Sequence, residues 1–111
     1  MKLWIDDLRP ASEGYIWAKS VNEAKECIEL YEYELQSNLP ATLAEYDKLA
    51  VELIDIDHDA GDYASDGGDY IKLLDWLEET GRNYPIHIHS MNVVGVQNMR
   101  TIIRRNNWVE I

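Results

Sequence analysis

The sequence predicts an α/β fold, a small three-layer sandwich around a mostly parallel sheet. Three observations predict it. Apolar runs at 2–5, 15–19, 51–56 and 85–90 read as strands. Helical periodicity fills much of the chain between and after them. Strands separated by helices imply right-handed crossovers and parallel neighbours. The 111 residues suit one domain, 1–111, able to bury a core without disulfides or metal staples.

The first strand, 2–5, stops at Asp6-Asp7. Residues 8–14 contain Pro10 and Gly14 and read as a loop, so the first crossover helix is reduced to a loop. After the 15–19 strand, Ser20 and Glu23 fit a capping box, the serine capping the helix start while the glutamate reaches back. Ala24, Cys27, Ile28, Tyr31 and Leu35 then follow helical spacing, and a stop is expected before Ser37-Asn38 and Pro40. Residues 41–50 leave room for a short helical turn. The β-branched run 51–56 reads as a central strand. Residues 60–68 form a polar loop with Gly61, Gly67 and Gly68, a candidate flap over a site. In the helix expected at 69–80, Tyr70, Leu73, Leu74 and Leu77 share a side and Gly81 is a stop signal. Asn92 is placed to cap a last helix carrying Val96, Met99 and Ile103, and 109–111 is a candidate short strand.

Hydrophobic residues make up 46% of the chain and charged residues 28%, the balance of a globular protein. With one cysteine, Cys27, no internal disulfide can form, and its helical position suits a small core residue. No stretch approaches the roughly 20 apolar residues of a membrane span. The start, MKLWIDDLRP, lacks the pattern of a signal peptide, so a cytoplasmic protein is expected. A net charge of −11 disfavours long nucleic acid and leaves room for a small phosphorylated or nucleotide substrate if a cation neutralises the carboxylates. The local exception is Arg100, Arg104 and Arg105, either a solvated helix face or a phosphate clamp.

In parallel sheets ligands bind beyond the carboxyl ends of the strands. Three polar clusters fall there: Asp6-Asp7, Asp57-His58-Asp59, and His89-Ser90 with Asn92. Asp6, Asp7 and Asp57, with Asp59 as a fourth candidate, are the oxygen ligands that a hard divalent cation such as Mg²⁺ or Mn²⁺ takes. Asp57 could alternatively act as a nucleophile. His58 and His89 are candidate proton donors. Arg9, Ser90 and Asn92 are candidate phosphate contacts, together with the amides that open the last helix. Asp55 lies within its strand and shares the face of Asp57, so it should pair with a cation or stand near the site. His87 alternates with His89; a zinc site there would need further ligands. The run from Asp55 fails as an EF-hand because Ala60 stands where glycine is needed.

Acidic residues after the first strand, an aspartate after the third and a serine after the fourth resemble the receiver domains of two-component signalling. That resemblance implies a receiver-like (flavodoxin-like) fold, a metal held by Asp6, Asp7 and Asp57, and Ser90 against a phosphoryl group. Receivers also carry a lysine after their fifth strand, whereas the last lysine here is Lys72. The chain more closely resembles the cyclic-phosphate processing receiver family. The carriers are residues 3–10 (LWIDDLRP), 20–24 (SVNEA), Asp57-His58-Asp59 with Gly61, and His89-Ser90-Met91-Asn92 with Gly95. Membership would imply action on cyclic phosphates of nucleotides or RNA ends. Two functions are therefore expected: a metal-dependent phosphoesterase, or a non-catalytic module that binds a nucleotide or a partner protein.

Overall fold

The computed structural model describes residues 1–37 and 42–111. Four strands, β1 (Lys2–Ile5), β2 (Tyr15–Ala18), β3 (Leu53–Ile56) and β4 (Ile86–Ile88), form one sheet in the order β2-β1-β3-β4. Every pairing is parallel. Alternation along the strands divides the two faces sharply. One face carries Leu3, Ile5, Ala18, Ile54, Ile56 and Ile86, all buried. The other carries Lys2, Trp4, Tyr15, Trp17, Asp55 and His87. The register confirms the shared side, pairing Trp4 with Trp17 and Asp55, and Asp55 with His87.

The aliphatic face holds the helices. α1 (Val21–Ser37) buries Val21, Ala24 and Ile28. α2 (Leu43–Leu49) packs against α1. α3 (Ile71–Glu79) buries Leu73, Leu74 and Leu77, and α4 (Val93–Arg105) buries Met99, Ile102 and Ile103. All join the strand aliphatics in one core cluster. Over the aromatic face runs the β1–β2 loop: the Trp4 indole N–H donates to the Arg9 carbonyl at 2.8 Å, and that of Trp17 to the Asp6 carbonyl at 2.7 Å. The expected third layer is therefore thin, a loop in place of helices among the described residues.

The helix ends follow local chemistry. At α1 the capping box is complete: Ser20 Oγ accepts the Glu23 amide at 3.0 Å, and Glu23 Oε2 accepts the Ser20 and Lys19 amides. α1 runs through Ser37, and the stop expected at Asn38 and Pro40 lies outside the described residues. α3 stops at Gly81, where the amides of Gly81 and Arg82 turn back to the carbonyls of Glu78 and Leu77. Asn92 Oδ1 caps α4 through the Gly95 amide at 2.9 Å.

Two expected segments differ. Residues 61–65 of the polar loop wind into a short 3₁₀ turn, Gly61–Ser65. That loop is fastened to the start of α1, since Asp66 accepts from Ser20 Oγ at 2.7 Å and from Asn22 Nδ2 at 2.9 Å. Residues 109–111 form only an isolated parallel bridge, Ile86 to Glu110, because the chain reaches β4 with a few residues and leaves Val109 and Ile111 exposed.

A second polar anchor holds α1 to the chain entering β4. Arg82 clasps Glu32 through both Nε and Nη2 and lies over the Trp76 ring, 4.3 Å from its centroid, while the Tyr84 hydroxyl donates to Glu32. Burial alone would raise the Glu32 carboxyl; the Arg82 and Tyr84 bonds outweigh it and hold it below the usual range. A depressed folded-state value makes this contribution present above the unfolded pKa and lost as pH falls through the folded one. Arg82→Ala should cost about 1–2 kcal/mol at pH 7. The gap between variant and wild type in urea unfolding should narrow towards pH 3.

Candidate functional site

The polar clusters meet at the carboxyl ends of β1, β3 and β4, as parallel topology requires. Asp6 is buried, and its two oxygens have distinct duties. Oδ1 accepts the Leu8 and Arg9 amides, each at 2.9 Å, the local turn an aspartate builds with the amides that follow it. Oδ2 accepts His89 Nε2 at 3.0 Å, with Arg9 Nε at 3.6 Å on the exposed side. Burial alone would raise this carboxyl; the two amides and His89 outweigh it and hold it low.

Asp6, Asp7 and Asp57 each offer an oxygen within 4.8 Å of the others. Among the described residues they are the one such group of three. Asp7 is the least compensated: burial raises its carboxyl most, and the charges of Asp6, Asp57 and Asp62 raise it further, against a lowering bond from its own amide. An all-oxygen set with one strained member fits a hard divalent cation. Asp59 stands elsewhere. Its exposed carboxylate meets His58 Nδ1 at 2.9 Å and accepts from Asn92 Nδ2 at 3.3 Å. The bond to His58 is the main reason its carboxyl lies below the usual range. The structure thus brings three of the four expected acidic ligands together and pairs the fourth with His58.

Two glycines make this packing possible by lacking a side chain. Gly61 has φ +56°, and a Cβ there would come within 2.4 Å of Asp7 Oδ2. A Cβ on Gly95 would come within 2.5 Å of the His58 ring. His58 therefore lies on the first turn of α4, with Nδ1 towards Asp59 and Asn92 and with Nε2 unbonded among the described residues. Ser90 Oγ accepts the Asn92 amide at 3.2 Å, leaving its own O–H to donate. Arg9 is exposed at the rim.

His89 is placed differently from His58. Nδ1 meets Asp55 Oδ1 at 2.6 Å, Nε2 meets Asp6, and the ring stacks on Trp4 with centroids 3.8 Å apart and planes 5° from parallel. Asp55 also meets His87 Nδ1 at 2.9 Å. His87 and His89 thus share a carboxylate and do not form a zinc pair. Sequence reasoning placed Asp55 near the site but did not find this chain or the role of Trp4. Asp55 inside an apolar strand and the His-x-His alternation were its only signals. The buried Tyr70 was likewise expected only as core. Its hydroxyl donates to the Lys19 carbonyl at 2.7 Å, and burial with the charges of Asp7, Asp6 and Asp57 keeps it protonated.

A parallel α/β sheet with an acidic triad at its carboxyl edge defines a receiver-like domain. A family model, the cyclic-phosphate processing receiver domain, matches residues 1–105, and the chain belongs to that family. No curated protein and no solved structure matches it.

The raised Asp7 carboxyl weakens the fold as pH climbs through its folded value, because ionising it costs more in the folded chain than in the unfolded one. Asp7→Asn should therefore stabilise the cation-free protein at pH 7, by about 0.5–1 kcal/mol. The same variant should lose most of any thermal stabilisation by Mn²⁺, as thermal melts with and without the cation will read. Gly61→Ala should lose that stabilisation too, without the gain in cation-free stability.

Proposed function

We propose that the domain hydrolyses a cyclic or terminal phosphate ester on a small nucleotide or RNA end, with Mg²⁺ or Mn²⁺ held by Asp6, Asp7 and Asp57. The observation that carries this proposal is the convergence of three carboxylates, one of them poorly compensated, beside a histidine anchored through one nitrogen. A divalent cation bound there supplies charge neutralisation for phosphate oxygens and an activated water.

The chain's own residues take the remaining tasks. Asp59 accepts from the His58 ring at Nδ1, and Asn92 Nδ2 holds Asp59 in turn, which leaves Nε2 of the imidazolium to protonate the departing alkoxide. His89, with both ring nitrogens engaged, has none to offer and serves to hold Asp6. The Ser90 hydroxyl, the Arg9 guanidinium and the Val93 and Val94 amides bind phosphate oxygens; those amides open α4, where no helix carbonyl reaches them. Asn92 acts chiefly as the cap of α4 and as a partner of Asp59. Family membership supports the cyclic phosphate as substrate class. Asp57 is assigned to the cation, since the lysine that accompanies a phosphorylated receiver aspartate has no counterpart after Lys72. A net charge of −11 favours a short substrate over a long polyanion.

Hydrolysis of 2′,3′-cyclic nucleotides should require Mn²⁺ or Mg²⁺ and disappear with chelator or in Asp57→Ala. His58→Ala should lower kcat by about 10²–10⁴-fold with a smaller change in KM. Turnover that survives both chelator and Asp57→Ala overturns the proposal. Nucleotide-dependent stabilisation without turnover of any cyclic phosphate would instead identify a binding module.

A further inference from the structure

Beneath the acidic edge lies a chain of hydrogen bonds outside the triad itself. His87, Asp55, His89 and Asp6 follow one another across β4, β3 and β1, with bonds of 2.9, 2.6 and 3.0 Å. Asp55 and Asp6 are buried, and the His89 side chain is only 10% exposed. Trp4 covers the His89 ring and is itself tied to the Arg9 carbonyl. Arg9 in turn donates its amide to Asp6 Oδ1. The Asp6 carboxylate is thus gripped at both oxygens, and the His89 grip is fixed from behind by Asp55.

We propose that Asp55 is a positioning residue: it locks the His89 ring so that His89 presents the Asp6 carboxylate to the acidic triad in one orientation. Two observations favour an orienting role over a purely structural one. Asp55 occupies an interior strand position on the sheet face without helices, so its burial serves no aliphatic core. Its shortest bond, at 2.6 Å, is to the histidine that reaches Asp6. Partners of this kind behind a ligand typically change metal affinity by about 10–100-fold when removed.

Charge and geometry predict opposite signs here. A ring held between two carboxylates acts on a nearby cation in two ways, by charge when both nitrogens carry protons and by position. If His89 acted only as a charge, His89→Gln would remove repulsion from a nearby cation and tighten binding. If it acts as a strut, binding weakens.

The inference depends on the proposed cation for its consequence but not for its test. In the cation-free protein, Asp55→Leu and His89→Gln should each speed exchange of the Leu8 and Arg9 amides about 10-fold. Amides within β1 should keep their wild-type rates in the same NMR experiment. In Mn²⁺ titrations read by EPR, each variant should bind about 10-fold more weakly. The double variant should bind no more weakly than the worse single one, since both changes break the same strut. Unchanged Leu8 and Arg9 exchange in a folded variant overturns the proposal, as does tighter Mn²⁺ binding by His89→Gln. If Asp55→Leu does not fold, His89→Gln decides by the same readouts. Wild-type protein that binds no Mn²⁺ removes the metal from the proposed function and leaves the exchange rates to decide the strut.

Discussion

One-sided burial of the sheet is the constraint on which the rest of the molecule depends. Strand alternation sends Leu3, Ile5, Ile54, Ile56 and Ile86 to one face, where α1, α3 and α4 cover them. The other face is relieved of core duty. It can therefore hold Asp55, His87 and His89 beside Trp4 and Trp17, residues that an aliphatic sandwich would reject. The short loop between β1 and β2 is part of the same arrangement. It covers Trp4 without burying the face under a helix, and it supplies the amides that grip Asp6.

The acidic edge balances satisfied and unsatisfied charge. Asp6 can be buried because two amides and a histidine compensate it. Asp59 accepts from His58 Nδ1 and from the Asn92 side chain. Asp7 is the member left repelled by Asp6, Asp57 and Asp62. Carboxylates crowded in this way are costly alone, and a divalent cation held among them would offset that cost. Gly61 and Gly95 serve this economy by removing a methyl group where Asp7 and His58 need the space.

Much of the site was legible in the sequence, for reasons that are local or topological. Asp6-Asp7 and Asp57 follow apolar runs, and parallel strands must bring their carboxyl ends to one edge. Ser20 with Glu23, and Asn92 before a helical pattern, announce caps through residues only three apart. The capping of Asn92 and the place of Ser90 beside it were expected on those grounds. Less legible were side-chain directions after the strands end. Asp59 lies two residues from Asp57 yet turns to His58 and Asn92, since the chain there is no longer extended. Likewise the sequence offers both His58 and His89 as proton donors but does not show which ring nitrogens each engages.

The sequence by itself determined the parallel α/β domain, the order of its elements and the edge at which Asp6, Asp7 and Asp57 gather. Periodicity, capping and crossover handedness are properties of short segments and of connectivity, and they leave little freedom at that level. Only the tertiary structure decided that Asp59 turns away from the carboxylate triad, that Asp55 reaches Asp6 through His89, and that no described helix covers the second face of the sheet. Those outcomes depend on the cross-strand register, which sets Trp4 beside Asp55 and Asp55 beside His87. Register joins residues some 30 to 50 positions apart through hydrogen bonds that no local pattern encodes.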